Sequence, residues 1–284
     1  MNSMRWAVVA VALAAAMPAG MAGAEGIEVG VAAYSFRHLT AFEAIEKTKE
    51  CGGEVIEFFL WQKLSPAHSN VVLNANLPDE HVAALKAKLD ACGVRAVNAY
   101  FNNTPFQDPA GAEAGARKLF AFAKKLGLRG LTGEPAVEHL DLVERLVKET
   151  GVQLCFHNHP RNPAKPEYRN WEPAYLLSLM EKRDPRMGFS LDTGHLSRSG
   201  VDPVETVRLF KGRVLSVHLK DVTEATPKSG DVPYGRGIGN IAGVIAELKK
   251  QGFRGHVAVE YEHTTDHLLD DVRHCIGFIR ERIR

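Results

Sequence analysis

VQLCFHN (152–158), MGFSLDT (187–193), VLSVHLK (214–220) and HVAVEYE (256–262) are four short apolar runs, and each breaks off in polar residues that a hydrophobic core has no use for. Runs of this length, bounded in this way, are strand signals. Working outward, the same pattern recurs in IEVGVAAY (27–34), EVIEFFL (54–60), VRAVNAYF (94–101) and LRGLTGE (128–134), which brings the strand candidates to eight. Amphipathic stretches near 41–51, 78–91, 110–126, 136–150, 171–182, 203–211, 240–251 and 266–283 alternate with them. Most of these end in Gly or charged residues, which suit a helix C-terminus. Eight strand-helix repeats in one chain of this length predict an α/β fold, a single-domain (β/α)8 or TIM barrel. An open doubly wound sheet would carry a glycine fingerprint after the first strand, and none follows residue 34.

Composition sets the outer bounds. The chain has 284 residues, 45% hydrophobic and 24% charged, as folded soluble domains do. Met1 to Arg5 form a positive segment, Trp6 to Met17 an apolar run, and Ala22-Gly23-Ala24 a small-residue cleavage pattern. These predict a signal peptide over 1–24, a mature domain over 25–284, and a periplasmic or secreted location. The apolar run is shorter than the roughly 20 residues of a spanning helix, so no membrane attachment is expected after cleavage. Lys+Arg number 35 and Asp+Glu 34, and Arg5 is the only one of these in the leader, so residues 25–284 balance at zero formal charge. A nucleic-acid footprint is therefore not expected. Cys51, Cys92, Cys155 and Cys275 lack metal-type pair spacing. An exported chain could pair them, with Cys51 and Cys92 in equivalent places, or keep them as buried thiols.

In a barrel of this kind the active site lies at the carboxyl ends of the strands. There the last four strands offer His157, Asn158 and His159; Asp192 and His195; His218, Lys220 and Asp221; and Glu260, Glu262 and His263. One imidazole or carboxylate from each of four adjacent strands can converge on a divalent ion, which points to His157, Asp192, His218 and Glu260 as metal ligands. Because residues i and i+2 of a strand share a face, His159 and Glu262 are the alternatives to His157 and Glu260.

LDTGH, VHLKD and VEYE in that order, with FHNHP and PYGRGIGN in support, make the chain resemble the xylose isomerase-like TIM barrels. That superfamily comprises sugar isomerases, epimerases and their secreted relatives, and the resemblance covers essentially the whole mature chain. It implies one divalent metal on His157, Asp192, His218 and Glu260. Many epimerases of the family have a glutamate where this chain has His157 and use it with the eighth-strand carboxylate on opposite faces of the sugar. Losing that negative charge is expected to favour Mn, Co, Zn or Fe over Mg.

The resemblance implies proton abstraction next to a metal-bound carbonyl of an unphosphorylated keto-sugar or sugar derivative. Glu260 is the expected base, assisted by His159 or His195. The leading expectation is an isomerase or epimerase. The alternatives are a 3-keto-glycoside eliminase or hydratase on the same site, and a noncatalytic carbohydrate-binding protein. Lys220, Glu134, Tyr34, Trp61, Tyr100 and Arg236 are candidate substrate contacts. Each has a structural counter-reading: a rim ion pair of Lys220 with Asp221 or Glu262, a helix-dipole role for Glu134, and rim packing for the aromatics. A phosphate role for Arg236 and the PYGRGIGN glycines is a weak signal. A metal-dependent AP endonuclease would require His and Glu ligands from the second and third strands, whose ends here carry Trp61 and Asn98-Ala99-Tyr100.

Overall fold

The computed structural model describes residues 26–102, 106 and 111–284. The leader and its cleavage pattern lie outside the described residues. Eight parallel strands close into a barrel: β1 (Glu28–Ala32), β2 (Val55–Phe59), β5 (Arg95–Tyr100), β6 (Gly130–Gly133), β7 (Gln153–His157), β8 (Met187–Asp192), β9 (Val214–Leu219) and β12 (His256–Val259). They follow one another around the barrel in chain order, and β1 closes on β12 with Glu28 opposite His256 and Val31 opposite Val259. Ser35 helps to lock that seam, its hydroxyl donating to the Val259 carbonyl at 3.2 Å and accepting the Tyr261 N–H at 2.9 Å. All eight expected strands are present, each slightly shorter than its apolar run.

The connecting helices are α1 (Ala41–Glu50), α2 (Asp79–Cys92), α3 (Ala112–Leu126), α4 (Leu140–Thr150), α5 (Pro173–Met180), α7 (Pro203–Leu209), α8 (Ile241–Lys250) and α9 (Leu268–Ile283). Local chemistry sets their ends. Thr40 and Glu43 form a reciprocal capping box at the start of α1, and Gly93, Gly127 and Gly151 close α2, α3 and α4 in the left-handed conformation. Between helices and barrel lies a continuous apolar layer in which, for example, Phe189 of β8 stacks on Phe210 beyond α7 at 3.8 Å. Each fully buried side chain of this size contributes about 1.5–3 kcal/mol.

Besides a 3-10 turn at Ala33–Phe36, three features escaped the sequence pattern. A hairpin of β3 (Lys63–Ser65) and β4 (His68–Val72) follows β2, and a two-residue ladder of β10 (Asp221–Val222) with β11 (Asp231–Val232) follows β9. The third, α6 (Thr193–Arg198), starts directly at the end of β8. No helix among the described residues is long and apolar enough to cross a membrane. The four cysteines are free thiols, and burial pushes those of Cys51, Cys155 and Cys275 up to about 12.

Candidate metal centre

Two strand-end staples bring β7, β8 and β9 into fixed alignment. Asn158 exchanges hydrogen bonds with the Asp192 backbone, at 3.1 Å to its carbonyl and 2.9 Å from its N–H. Thr193 does the same for Lys220, both bonds at 2.9 Å. Gly194 follows because a Cβ there would stand 2.6 Å from the Lys220 Cγ and Cδ. The Asp192 carboxylate divides its work: Oδ1 accepts the His195 N–H at 2.7 Å and caps α6, whereas Oδ2 points elsewhere. FHN and LDTG are thus a geometric device that aims side chains at one point.

His157, Asp192, His218 and Glu260 meet there. One ligand-type atom from each lies within 4.8 Å of all the others, and all four residues are buried. Donors at roughly 2.1 Å from one ion stand no more than about 4.2 Å apart, so the cluster need tighten by only about half an ångström to embrace one. The ring nitrogens of His157 and of His218, Asp192 Oδ2 and Glu260 Oε2 are buried without a well-formed hydrogen bond among the described residues, although Lys220 Nζ stands 3.2 Å from both carboxylate oxygens and Glu57 Oε2 3.2 Å from His218 Nε2. Buried polar atoms are almost always satisfied, and an ion is one of the few things that can satisfy one from each of these residues at a single point. The donor set, two imidazoles and two carboxylates, fits a first-row divalent metal. Between the alternatives open in the sequence, the structure groups His157 and Glu260, while His159 and Glu262 stand beside them with other partners.

His159 Nδ1 is engaged by the Glu134 carboxylate, which also accepts from Tyr168 Oη at 2.6 Å and Asn170 Nδ2 at 2.8 Å. Burial would raise Glu134, yet these contacts bring it down to about 2, and the Glu134 contact outweighs burial in raising His159. Glu134 therefore faces the pocket instead of serving a helix start. Lys220 is fully buried, with Nζ 3.2 Å from Asp192 Oδ2, 3.2 Å from Glu260 Oε2 and 3.1 Å from Glu262 Oε1. Burial opposes its charge, and these carboxylates more than restore it. Asp221 has a different task. Its carboxylate accepts the N–H groups of Gly235 and Gly237 at 3.0 Å and of Gly239 at 2.9 Å. Those amides are the ones a phosphate would need, and Arg236 is exposed with no contact to the cluster among the described residues.

Tyr34, Trp61 and Tyr100 do form a wall, and its hub is Phe59, which the sequence reading passed over. Phe59 stacks on Tyr100 at 5.0 Å and meets Tyr34 at 5.2 Å and Trp61 at 5.1 Å. Tyr100 in turn stands edge-on to His157 at 5.3 Å. A cleft of about 800 Å3 opens beside this wall, lined by Tyr100, Glu134, His159, Arg161, Tyr168 and Asn170 among others.

Glu57 and His256 were also missed. Glu57 Oε2 lies 3.2 Å from His218 Nε2 and 3.1 Å from His256 Nε2, all three groups being buried inside the barrel. Burial works against the Glu57 charge, but the two imidazoles hold its carboxyl well below the usual carboxylate range. A carboxylate behind a ligating histidine fixes ring orientation and ligand basicity. Glu57→Gln should therefore weaken metal binding by roughly 10–100-fold, read by competition with a chelating dye, while leaving the far-ultraviolet circular dichroism unchanged. Unaltered affinity would reduce Glu57 to barrel packing.

The comparisons with known proteins agree with this fold. The rhizopine catabolism protein MocC of Rhizobium meliloti is 26% identical over 75% of this chain and 77% of its own length. The inosose dehydratase of Clostridium tetani is 33% identical, over 31% of this chain and only 28% of its own. Among solved structures, D-psicose 3-epimerase of Clostridium cellulolyticum H10, crystallised with D-tagatose, superposes with a TM-score of 0.71. That match covers 91% of this chain and 100% of that one, at 16% identity, so the likeness is one of fold. The family described as xylose isomerase-like TIM barrel matches residues 45–282. With the closed barrel and the strand-end cluster in place, this chain belongs to the xylose isomerase-like TIM barrel family.

Proposed function

We propose that this protein is a divalent-metal-dependent enzyme that removes a proton from a carbon next to a carbonyl in an unphosphorylated keto-sugar or sugar derivative. The observation that carries the reading is the buried quartet of His157, Asp192, His218 and Glu260, reached from the cleft through Tyr100 and His159, whose rings line it and stand 5.3 and 4.8 Å from that of His157. A bound Mn, Co, Zn or Fe ion would supply Lewis-acid polarisation of the substrate carbonyl. Glu260 takes the proton. The Lys220 ammonium, close to Glu260 and Asp192, neutralises charge left on a substrate oxygen. On the opposite side His159, with Nδ1 held by Glu134, uses its other nitrogen to exchange a proton with substrate. The capture of the glycine-loop amides by Asp221 supports an unphosphorylated substrate, as does the leader expected from the sequence.

Return of the proton to carbon makes the reaction an isomerisation or epimerisation. A second reading is favoured by the chemical asymmetry of the site. It has a carboxylate on the β12 side and an imidazole clamped by Glu134 on the β7 side, a pairing suited to base and leaving-group acid of a β-elimination. The inosose dehydratase among the relatives points the same way. Incubating metal-reconstituted protein in deuterium oxide with a panel of keto-sugars and keto-glycosides separates the outcomes by mass and NMR. An isomer carrying deuterium on carbon supports the first reading, and an unsaturated or hydrated product supports the second. No turnover of any panel member, with metal bound, would favour a noncatalytic carbohydrate-binding protein.

A further inference from the structure

Arg198 closes α6 and is buried to within 6% exposure, an unusual place for a guanidinium. All three of its nitrogens are engaged, from different directions. Nε donates to the Ser229 carbonyl at 3.1 Å, Nη2 to Asp231 Oδ1 at 2.5 Å, and Nη1 to Glu262 Oε2 at 2.5 Å and to His195 Nδ1 at 3.2 Å. Asp231 in turn accepts the backbone N–H groups of Glu262 and His263, so the guanidinium plane is tied to both the β10–β11 ladder and the end of β12.

A guanidinium has hydrogen-bond donors and no acceptor, and it stays protonated in proteins. A ring nitrogen that meets Nη1 must therefore offer its lone pair. The other end of the ring points to the same arrangement, since Nε2 of His195 lies 3.5 Å from Asp192 Oδ2 and 4.0 Å from Glu262 Oε1, both acceptors. The Arg198 contact requires an acceptor at Nδ1, and the carboxylate oxygens on the Nε2 side, beyond good hydrogen-bond distance, are compatible with a hydrogen there.

We propose that Arg198 is a positioning residue that fixes His195 in the Nε2–H tautomer, so that His195 meets substrate only as a hydrogen-bond donor and is not the base. An abstracting base needs a lone pair facing the substrate, and in this tautomer the hydrogen occupies that place. His195 then polarises a substrate oxygen next to Lys220, and the proton chemistry is left to Glu260 and His159. The tautomer stands on the Arg198 contacts alone, whereas the donation to a substrate oxygen rests on the proposed reaction.

The test is a long-range nitrogen–proton NMR spectrum of protein labelled with 15N only in histidine, recorded metal-free and after adding zinc, which is diamagnetic. His195→Gln identifies the His195 signals. The expected result in both samples is a pyridine-type Nδ1 and a pyrrole-type Nε2. A pyrrole-type Nδ1 in the wild type, or an imidazolium, overturns the proposal. In Arg198→Met the preference should be lost, with Nδ1–H populated. Arg198→Met combined with Glu262→Gln repeats the test without stranding the Glu262 carboxylate, should the single variant fold poorly. Retention of the wild-type tautomer in a folded variant would show that Arg198 does not set it. Loss of turnover on the sugar panel leaves this readout untouched, so the tautomer and the reaction can fail separately.

Discussion

Combining Asp192→Asn with His218→Gln in one chain should weaken Mn2+ or Co2+ binding by roughly a thousandfold or more, because two of four donors and one of two ligand charges are altered together. The choice of residues keeps the scaffold intact. Asp192→Asn retains an oxygen to accept the His195 N–H that Asp192 Oδ1 accepts at 2.7 Å, so α6 keeps its cap. His218→Gln leaves Glu57 a polar neighbour where it now has His218 Nε2 at 3.2 Å, which avoids an isolated buried carboxylate. Metal content after exhaustive dialysis and titration calorimetry give the result directly. A double variant that still carries one ion per chain would place the ion elsewhere, the remaining clustered candidate among the described residues being Glu134 with His157 and His159.

Glu260→Gln should lower turnover by roughly 100-fold or more while metal stays bound. The amide keeps an oxygen for the ion but cannot take up a proton. Glu260 lies just past β12, buried, its N–H donating to the Leu219 carbonyl at 3.1 Å, so the backbone that aims it is unaffected. Lys220 keeps Asp192 at 3.2 Å and Glu262 at 3.1 Å as partners, which limits the charge imbalance the exchange creates. Two opposing effects act on a ligating carboxylate used as a base: the ion lowers its basicity, and the polarised carbonyl acidifies the substrate C–H. Deuterium wash-in should fall in step with turnover. Full activity of a metal-loaded Glu260→Gln protein would move the base to His159, to be examined next by His159→Gln. Product formed by the wild type without deuterium incorporation would indicate a hydride shift between carbons and leave Glu260 as a ligand alone.

The eight strands and the four-residue cluster were legible in the sequence because both are local properties repeated in a fixed order. An apolar run that stops at a polar residue marks a barrel strand and its carboxyl end at once, and adjacent strands in sequence are adjacent in space. His157, Asp192, His218 and Glu260 needed nothing more than that order to become candidates. Choosing them over His159 and Glu262 took the resemblance, and the structure groups the same four.

What the tertiary structure decided is which partner each of these side chains meets, and those partners come from far along the chain. Glu57, inside EVIEFFL, gives no local sign of its role, because only closure of the barrel sets it against His218 and His256. Lys220 has Asp221 as its sequence neighbour, but alternate residues of a strand face opposite ways, so Lys220 meets Asp192, Glu260 and Glu262 while Asp221 turns to bind the glycine loop. That same turn occupies the N–H groups of Gly235, Gly237 and Gly239. Arg198, in the small polar stretch SRSG, gives no local sign of its role. Its burial against Ser229, Asp231 and Glu262 depends on how α6, the β10–β11 ladder and β12 pack together. Strand positions follow from short-range patterning, whereas the charge balance inside the barrel is set by closure and register, which bring together residues about 200 positions apart, as with Glu57 and His256.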